Sequence, residues 1–181
     1  METVATKQAS AYDSLKGDFG YSNVHQSPKI TKVTISSGVG KSRSDKNRLS
    51  VVEDRLSKIT GQKPSTALAK KSIAQFKVRA GDLSGYKVSL SGKRAMNFVD
   101  KLVHVAIPRT KDFRGINTSA VDAMGNMTIG IKEHTIFPET SDEEIRDIFG
   151  MAVTITTTAS SREEALAFFK HLGIPFKKDE A

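Results

Sequence analysis

Between Asp54 and Asp82 the chain carries no acidic residue, yet Arg55, Lys58, Lys63, Lys70, Lys71, Lys77 and Arg79 all fall inside that interval. Near the cation cluster only Ile73 and Phe76 are large and apolar, and Gly61, Pro64 and Gly81 punctuate the stretch. So many like charges with so little to bury cannot form a core, because an unpaired charge taken out of water is too costly. The interval therefore reads as an exposed basic arm or loop, suited to a polyanion.

The net charge of +8 is unevenly partitioned. Pro28 to Arg114 holds 20 Lys and Arg against 6 Asp and Glu, whereas the rest holds 8 against 14. An ordinary solvated surface mixes its signs, and a face that neutralises phosphates does not. A basic surface without a ligand is the plainer alternative, and it ranks second on this partition. At 181 residues, 38% apolar and 27% charged, the chain suits one domain with a real core. It has no cysteine, which excludes disulfides and thiolate metal sites and points to an intracellular protein. No run of 18 apolar residues occurs, and the N-terminus has neither a secretory core nor the features of a transit peptide. The expectation is a cytoplasmic protein with no membrane association.

Periodicity sketches the fold. Residues 1–27 are polar, with a short helix expected around Ala9 to Lys16 and ending at Gly17. From Ile30 to Ser36, Val33 and Ile35 alternate with Lys32, Thr34 and Ser36, as in a half-buried strand. Asp45 to Ile59 spaces Leu49, Val52, Leu56 and Ile59 as an amphipathic helix. After the arm, Tyr86, Val88 and Leu90 alternate with Lys87, Ser89 and Ser91, and Gly92 ends that strand. A helix from Lys93 to Ala106 would bury Met96, Val99, Leu102, Val103 and Ala106 before Pro108 stops it. A loop to Gly125 leads to strands at Asn126 to Ile131 and Met151 to Thr158. Capping boxes are expected at Ser141 with Glu144 and at Ser161 with Glu164, the second opening a helix that packs Leu166, Phe169 and Leu172.

This order predicts a two-layer α+β fold: a mixed, largely antiparallel sheet with helices packed on one face and a polar face on the other. On the polar face fall Lys32, Thr34, Ser36, Lys87, Ser89, Ser91, Thr128, Thr154, Thr156 and Thr158. Hydroxyls and ammonium groups bond phosphates and riboses. Ser and Thr are also common solvent-facing strand residues, and the neighbouring charge is what favours RNA.

Other chemistries find little support. Gly38-Val39-Gly40-Lys41-Ser42 sits between strand and helix like a phosphate-binding loop, but the required first glycine is Ile35, so an NTPase is rejected. The two glycines with Lys41 and Arg43 would still allow backbone approach to an RNA phosphate, although an ordinary turn explains them equally well. His25, His104, His134 and His171 show no ligand spacing, so neither a metal nor a cofactor is expected. Glu143-Glu144 and Glu163-Glu164 suit helix first turns, and no hydroxyl has a recognisable base. The chain reads as no enzyme. Phe76 is expected to anchor the arm in the core rather than to stack on a base.

Five collinear motifs then carry a resemblance: Gly61-Gln62-Lys63-Pro64; Ala69-Lys70-Lys71-Ser72-Ile73-Ala74-Gln75-Phe76-Lys77-Val78-Arg79; Pro108-Arg109-Thr110-Lys111-Asp112-Phe113-Arg114-Gly115; Ile136-Phe137-Pro138-Glu139; and Thr154-Ile155-Thr156-Thr157-Thr158-Ala159. From about Ile30 to Phe176 the chain resembles the large-ribosomal-subunit protein five family. The resemblance implies a single family domain over 28–178, with a basic loop at 70–81 and a tail at 179–181. It implies a structural protein of the central protuberance that binds 5S rRNA and large-subunit rRNA beside neighbouring large-subunit proteins.

By resemblance and face together, Lys32, Thr34, Ser36, Gln62, Lys63, Ser89 and Ser91 are the expected 5S rRNA residues. Lys70, Lys71, Ser72, Phe76, Lys77 and Arg79 are expected to meet the P-site tRNA. Arg109, Lys111, Asp112, Phe113 and Arg114 are expected at an intersubunit bridge to a small-subunit head protein of the thirteen family, with Met127 to Glu139 nearby. Ser36 stands where the family usually has asparagine, Ser91 where it has arginine and Ala152 where it has aspartate. The serine at 91 implies one phosphate contact fewer. An RNA-binding regulator or chaperone acting away from the ribosome is the alternative of a different class.

Overall fold

Backbone pairing and helix caps, more than propensity, set where the elements begin and end. The computed structural model describes residues 2–40, 45–111, 113–140 and 147–177. In chain order these are α1 (Val4–Phe19), β1 (Ile30–Gly38), α2 (Lys46–Thr60), β2 (Ser65–Leu68), β3 (Leu83–Ser91), α3 (Gly92–Lys101), β4 (Met127–Ile131), β5 (Met151–Thr157) and α4 (Arg162–Leu172). Among the described residues the strands form a five-stranded sheet of order β2-β3-β1-β5-β4. The fold is the expected two-layer α+β class, with the sheet antiparallel. Pairing directions follow from the bonds: Thr158 N–H donates to Lys29 O at 3.0 Å and Thr31 Oγ1 to Thr156 O at 3.0 Å, so β1 ascends as β5 descends. Packing divides the chain into two units, one of Met1–Val33, Leu90–Ile129 and Thr154–Ala181, the other of Thr34–Ser89 and Gly130–Val153.

In the first unit α1 runs well beyond the expected Ala9 to Lys16. Thr3 caps its first turn by accepting the Thr6 N–H, and Gly20, at φ 64°, closes it with an N–H bond to Lys16 O of 2.9 Å. Gly17 inside the helix costs about 1 kcal/mol relative to alanine. Burial of Val4, Ala11 and Leu15 outweighs that cost, and α1 packs on α4 and α3. Polar ties reinforce the packing: Val4 N–H donates to Asp100 Oδ1 at 3.1 Å, and Lys7 Nζ to Leu172 O at 3.2 Å.

Val99, Leu102, Val103 and Ala106 are buried as expected, Ala95 and Phe98 join them, and Met96 is only half-buried. The expected helix end at Ala106 is a π-helical turn, Leu102–Ala106, closed by Ile107 N–H to Leu102 O at 2.9 Å. In α4, Ala165, Phe168, Phe169 and Leu172 are buried and Leu166 is half-buried. Ser161 Oγ accepts the Glu164 N–H at 3.2 Å as a capping box requires, but the Glu164 carboxylate turns to Ser160 N–H and Tyr21 O–H. That carboxylate and burial push the Tyr21 hydroxyl far above its ordinary pKa, with burial the larger cause. The box expected at Ser141 and Glu144 lies outside the described residues.

In the second unit α2 buries Val52, Leu56, Ile59 and Thr60, leaving Leu49 half-buried. Asp45 caps its start and Gly61, at φ 67°, its end. The sequence showed no strand between Pro64 and Lys70, yet β2 pairs antiparallel with β3 there. Ser65 faces Lys87, Thr66 faces Tyr86, Ala67 faces Gly85 and Leu68 faces Leu83, with a bulge between Ala67 and Leu68. All four β2 residues are exposed, so no buried row exists to leave a period-two trace. His134 is fully buried, its ring stacked on Phe149 at 4.1 Å, and its Nδ1 accepts the Phe149 N–H at 3.3 Å. Burial, seconded by the Arg55 charge, holds this imidazole below the ordinary histidine pKa.

Candidate nucleic-acid interface

Three groups of polar residues emerge, each fixed by a different device. Within the second unit, Ser36, Lys87 and Ser89 are exposed and Thr34 is half-buried, while Ile35, Tyr86 and Val88 between them are buried. Alternation thus delivers the expected polar row. Gln62 joins it from the end of α2: its Nε2 donates to Ser89 O at 3.4 Å, and its backbone is held through Thr60 Oγ1. Lys63 projects with 84% of its side chain exposed and pairs loosely with Glu53 at 3.6 Å. Ser65, which sequence reading missed, shares this face because it stands opposite Lys87, and its Oγ donates to Lys87 O at 2.9 Å. Gly85 admits the neighbouring strand, since a Cβ there would lie 2.5 Å from Ser37 O.

Within the first unit Lys32, Ser91, Thr128 and Thr158 are exposed, and Thr154 and Thr156 are half-buried. Several of these hydroxyls are already bonded. Thr128 and Thr154 meet at 3.0 Å, and Thr158 Oγ1 accepts the Lys29 N–H at 2.9 Å. Arg109, Lys111, Phe113 and Arg114 are exposed in the segment after Pro108; Asp112 lies outside the described residues. Gly115 ends that segment at φ 101°, where a Cβ would approach Lys177 N to 2.5 Å. Ile116 then exchanges bonds with the C-terminal chain, donating to Pro175 O and accepting from Lys177 N–H, both at 2.9 Å.

The basic arm is the tip of the β2–β3 hairpin. Ala69 N–H donates to Asp82 O at 2.8 Å, and Ile73 and Val78 exchange both backbone bonds at 2.9 and 3.2 Å. Between them Ala74–Phe76 form a single 3₁₀ turn closed by Lys77 at φ 51°. Lys70, Lys71, Ser72, Phe76, Lys77 and Arg79 are all exposed. Phe76 is 66% exposed, which overturns its expected place as an anchor in the core. A two-stranded tip has no further layer to pack against, and the arm's own apolar surface is too small to receive the ring.

Gly38 ends β1 and Val39 is buried, while Lys41 and Arg43 lie outside the described residues. Among the described residues no group of three His, Asp or Glu side chains is placed to hold a metal ion, and no helix is long and apolar enough to cross a membrane. Asp54 and Asp122 titrate below the usual carboxylate range, the first mainly through its bond to Lys58 and the second through the Asn126 N–H; both serve local structure.

The model of the family described as ribosomal protein L5 matches residues 23–79, and the model of that family's C-terminus matches residues 84–176. The chain belongs to the ribosomal protein L5 family. It is 43% identical over 178 residues to the large ribosomal subunit protein uL5 of Mesoplasma florum, covering 98% of each chain. The uL5 protein of Microcystis aeruginosa is 43% identical over 172 residues, spanning 95% of this chain and 96% of that protein. For Flavobacterium johnsoniae the figures are 44% over 166 residues, 92% and 91%. The L5 family is ribosomal and non-enzymatic, which agrees with the sequence reading on both points. The two L5 matches meet at the hairpin: the first ends at residue 79 in the arm and the second begins at residue 84 in β3.

Proposed function

We propose that the chain is a structural component of the central protuberance of the large ribosomal subunit, in the cytoplasm, with one RNA for the sheet and another for the arm. As an L5-family protein it associates with rRNA and other ribosomal proteins. In the proposal, Lys32, Thr34, Ser36, Gln62, Lys63, Ser89 and Ser91 contact 5S rRNA, with large-subunit rRNA alongside. Lys70, Lys71, Ser72, Phe76, Lys77 and Arg79 meet the P-site tRNA. Arg109 to Arg114 face a small-subunit head protein of the thirteen family.

One observation carries the division of labour. The four arm cations sit on an exposed hairpin tip closed by backbone bonds, whereas the strand residues sit on rows anchored by buried neighbours. A projecting tip reaches a ligand that moves, and a row backed by core suits one that stays. Ser36 and Ser91 are both exposed, so each supports a short-range hydroxyl contact where a longer side chain is usual.

Replacing Lys70, Lys71, Lys77 and Arg79 with glutamine is expected to leave assembly into the subunit intact and to weaken P-site tRNA contact. The slope of log K against log salt for tRNA should flatten by as much as about 3. Measured by sedimentation of subunits and by tRNA binding, failure of the variant to enter the subunit at all would reverse the assignment. Absence of the natural protein from large subunits in fractionated extract would favour the regulator or chaperone reading instead.

A further inference from the structure

The exposed ring of Phe76 has a chemistry that cations alone do not explain. Burying a phenylalanine side chain is worth roughly 2–3 kcal/mol, and this one stays 66% exposed at the end of the hairpin, with Ile73 46% and Leu68 57% exposed along the same arm. The exposure is not looseness. Ile73 and Val78 exchange both of their backbone bonds, Lys77 N–H closes on Ala74 O at 3.0 Å, and Ser72 Oγ accepts the Ala80 N–H at 2.9 Å. Arg79 N–H is in turn held by Asp82 Oδ2 at 2.8 Å.

Lys77 holds φ 51°, the one positive value on a non-glycine residue among the described residues. That conformation is unfavourable for any residue with a Cβ, by on the order of 1 kcal/mol. The turn that presents the ring is therefore maintained against a local cost. Preorganisation of this kind lowers the ordering entropy lost when a ligand docks.

Lys70, Lys71, Lys77 and Arg79 are exposed on the same tip, so the partner of the ring is an anion that also offers a flat apolar face. We infer that Phe76 is a stacking platform for an unpaired nucleobase, with the flanking cations on the phosphates to either side. Bases inside a continuous duplex are already stacked on both faces and offer nothing to the ring, so the arm selects looped or turned RNA. This rests on the reading that the arm meets RNA, and it adds which feature of the RNA is read.

The chain has no tryptophan, so Phe76→Trp in the full-length protein places a sole indole reporter at the tip. Three probes separate the cases: an RNA hairpin with an unpaired loop, an RNA duplex of equal phosphate number, and heparin, a polyanion without bases. Quenching of the indole by the hairpin, with neither of the others quenching it, is the expected result. Phe76→Ala should weaken hairpin binding on the order of 10-fold, leave duplex binding unchanged and keep the salt slope. Salt-dependent hairpin binding with no quenching and no loss in Phe76→Ala would overturn stacking while leaving the arm's contact with RNA standing. Equal quenching by heparin would also overturn it. RNA affinity indifferent to glutamine at all four arm cations would remove the underlying reading, and stacking with it. Equal thermal midpoints for the Phe76 variants and the natural protein exclude misfolding.

Discussion

β3 takes part in two regions built on opposite terms. In its middle, Lys87 and Ser89 alternate with Tyr86 and Val88, so each exposed polar group is positioned by a buried neighbour. Beyond its start, the arm has no buried row, and its apolar residues Leu68, Ile73 and Phe76 face solvent. Backbone bonds and the Ser72 hydroxyl hold the arm instead, against the local cost of the Lys77 conformation. The difference teaches that an exposed polar surface and stability are coupled on the strand rows and separable on the arm.

Three changes sharpen or break this contrast. Ile35→Ala removes a fully buried side chain beneath Thr34 and Ser36, and should cost about 3 kcal/mol in chemical denaturation. A loss under about 1 kcal/mol would mean that burial does not secure the row.

Acidification tests the same interior more gently. The His134 imidazole is held below its ordinary pKa of 6.5, so below pH 6.5 the unfolded chain takes up a proton that the folded one resists. Stability should be flat in this respect above pH 6.5 and fall as pH drops from there towards the lowered folded value. His134→Gln should start less stable and lose that part of the decline in urea titrations at stepped pH. An unchanged decline would place its origin elsewhere.

The smallest effect belongs to the arm. Lys77→Gly relieves the positive φ and should raise the unfolding midpoint by an amount equivalent to about 0.5 kcal/mol, since glycine also gains freedom when unfolded. A clear loss of stability would show that the Lys77 side chain has a structural role and that the arm is less separable than its exposure indicates.

The polar row was legible because a half-buried strand writes its two faces into alternate residues, as at Ile30 to Ser36 and Tyr86 to Ser91. Ser161 announced the start of α4 through its capping chemistry. β2 escaped because an edge strand exposed throughout has no alternation, and with it went Ser65. α1 was read too short because Gly17 looks like a stop, while the burial that carries the helix past it comes from distant α4 and α3. Met96 and Leu166 were assigned to cores that Ala95, Phe98, Ala165 and Phe168 occupy, since several adjacent apolar residues fit a helical stripe equally well in one dimension.

By itself the amino-acid order determined the fold class, the family and the location of the basic segment. These depend on local periodicity, charge and motif order, which need no knowledge of distant partners. Only the tertiary structure decided that the segment from Ser65 to Asp82 is a strand and closed hairpin tip rather than a loop, that Phe76 points outward, and that His134 is buried against Phe149. Each of those outcomes depends on which remote surface is near enough to receive a side chain. For Phe76 the hairpin tip offers none, and for His134 the stacked Phe149 ring and its backbone N–H supply one.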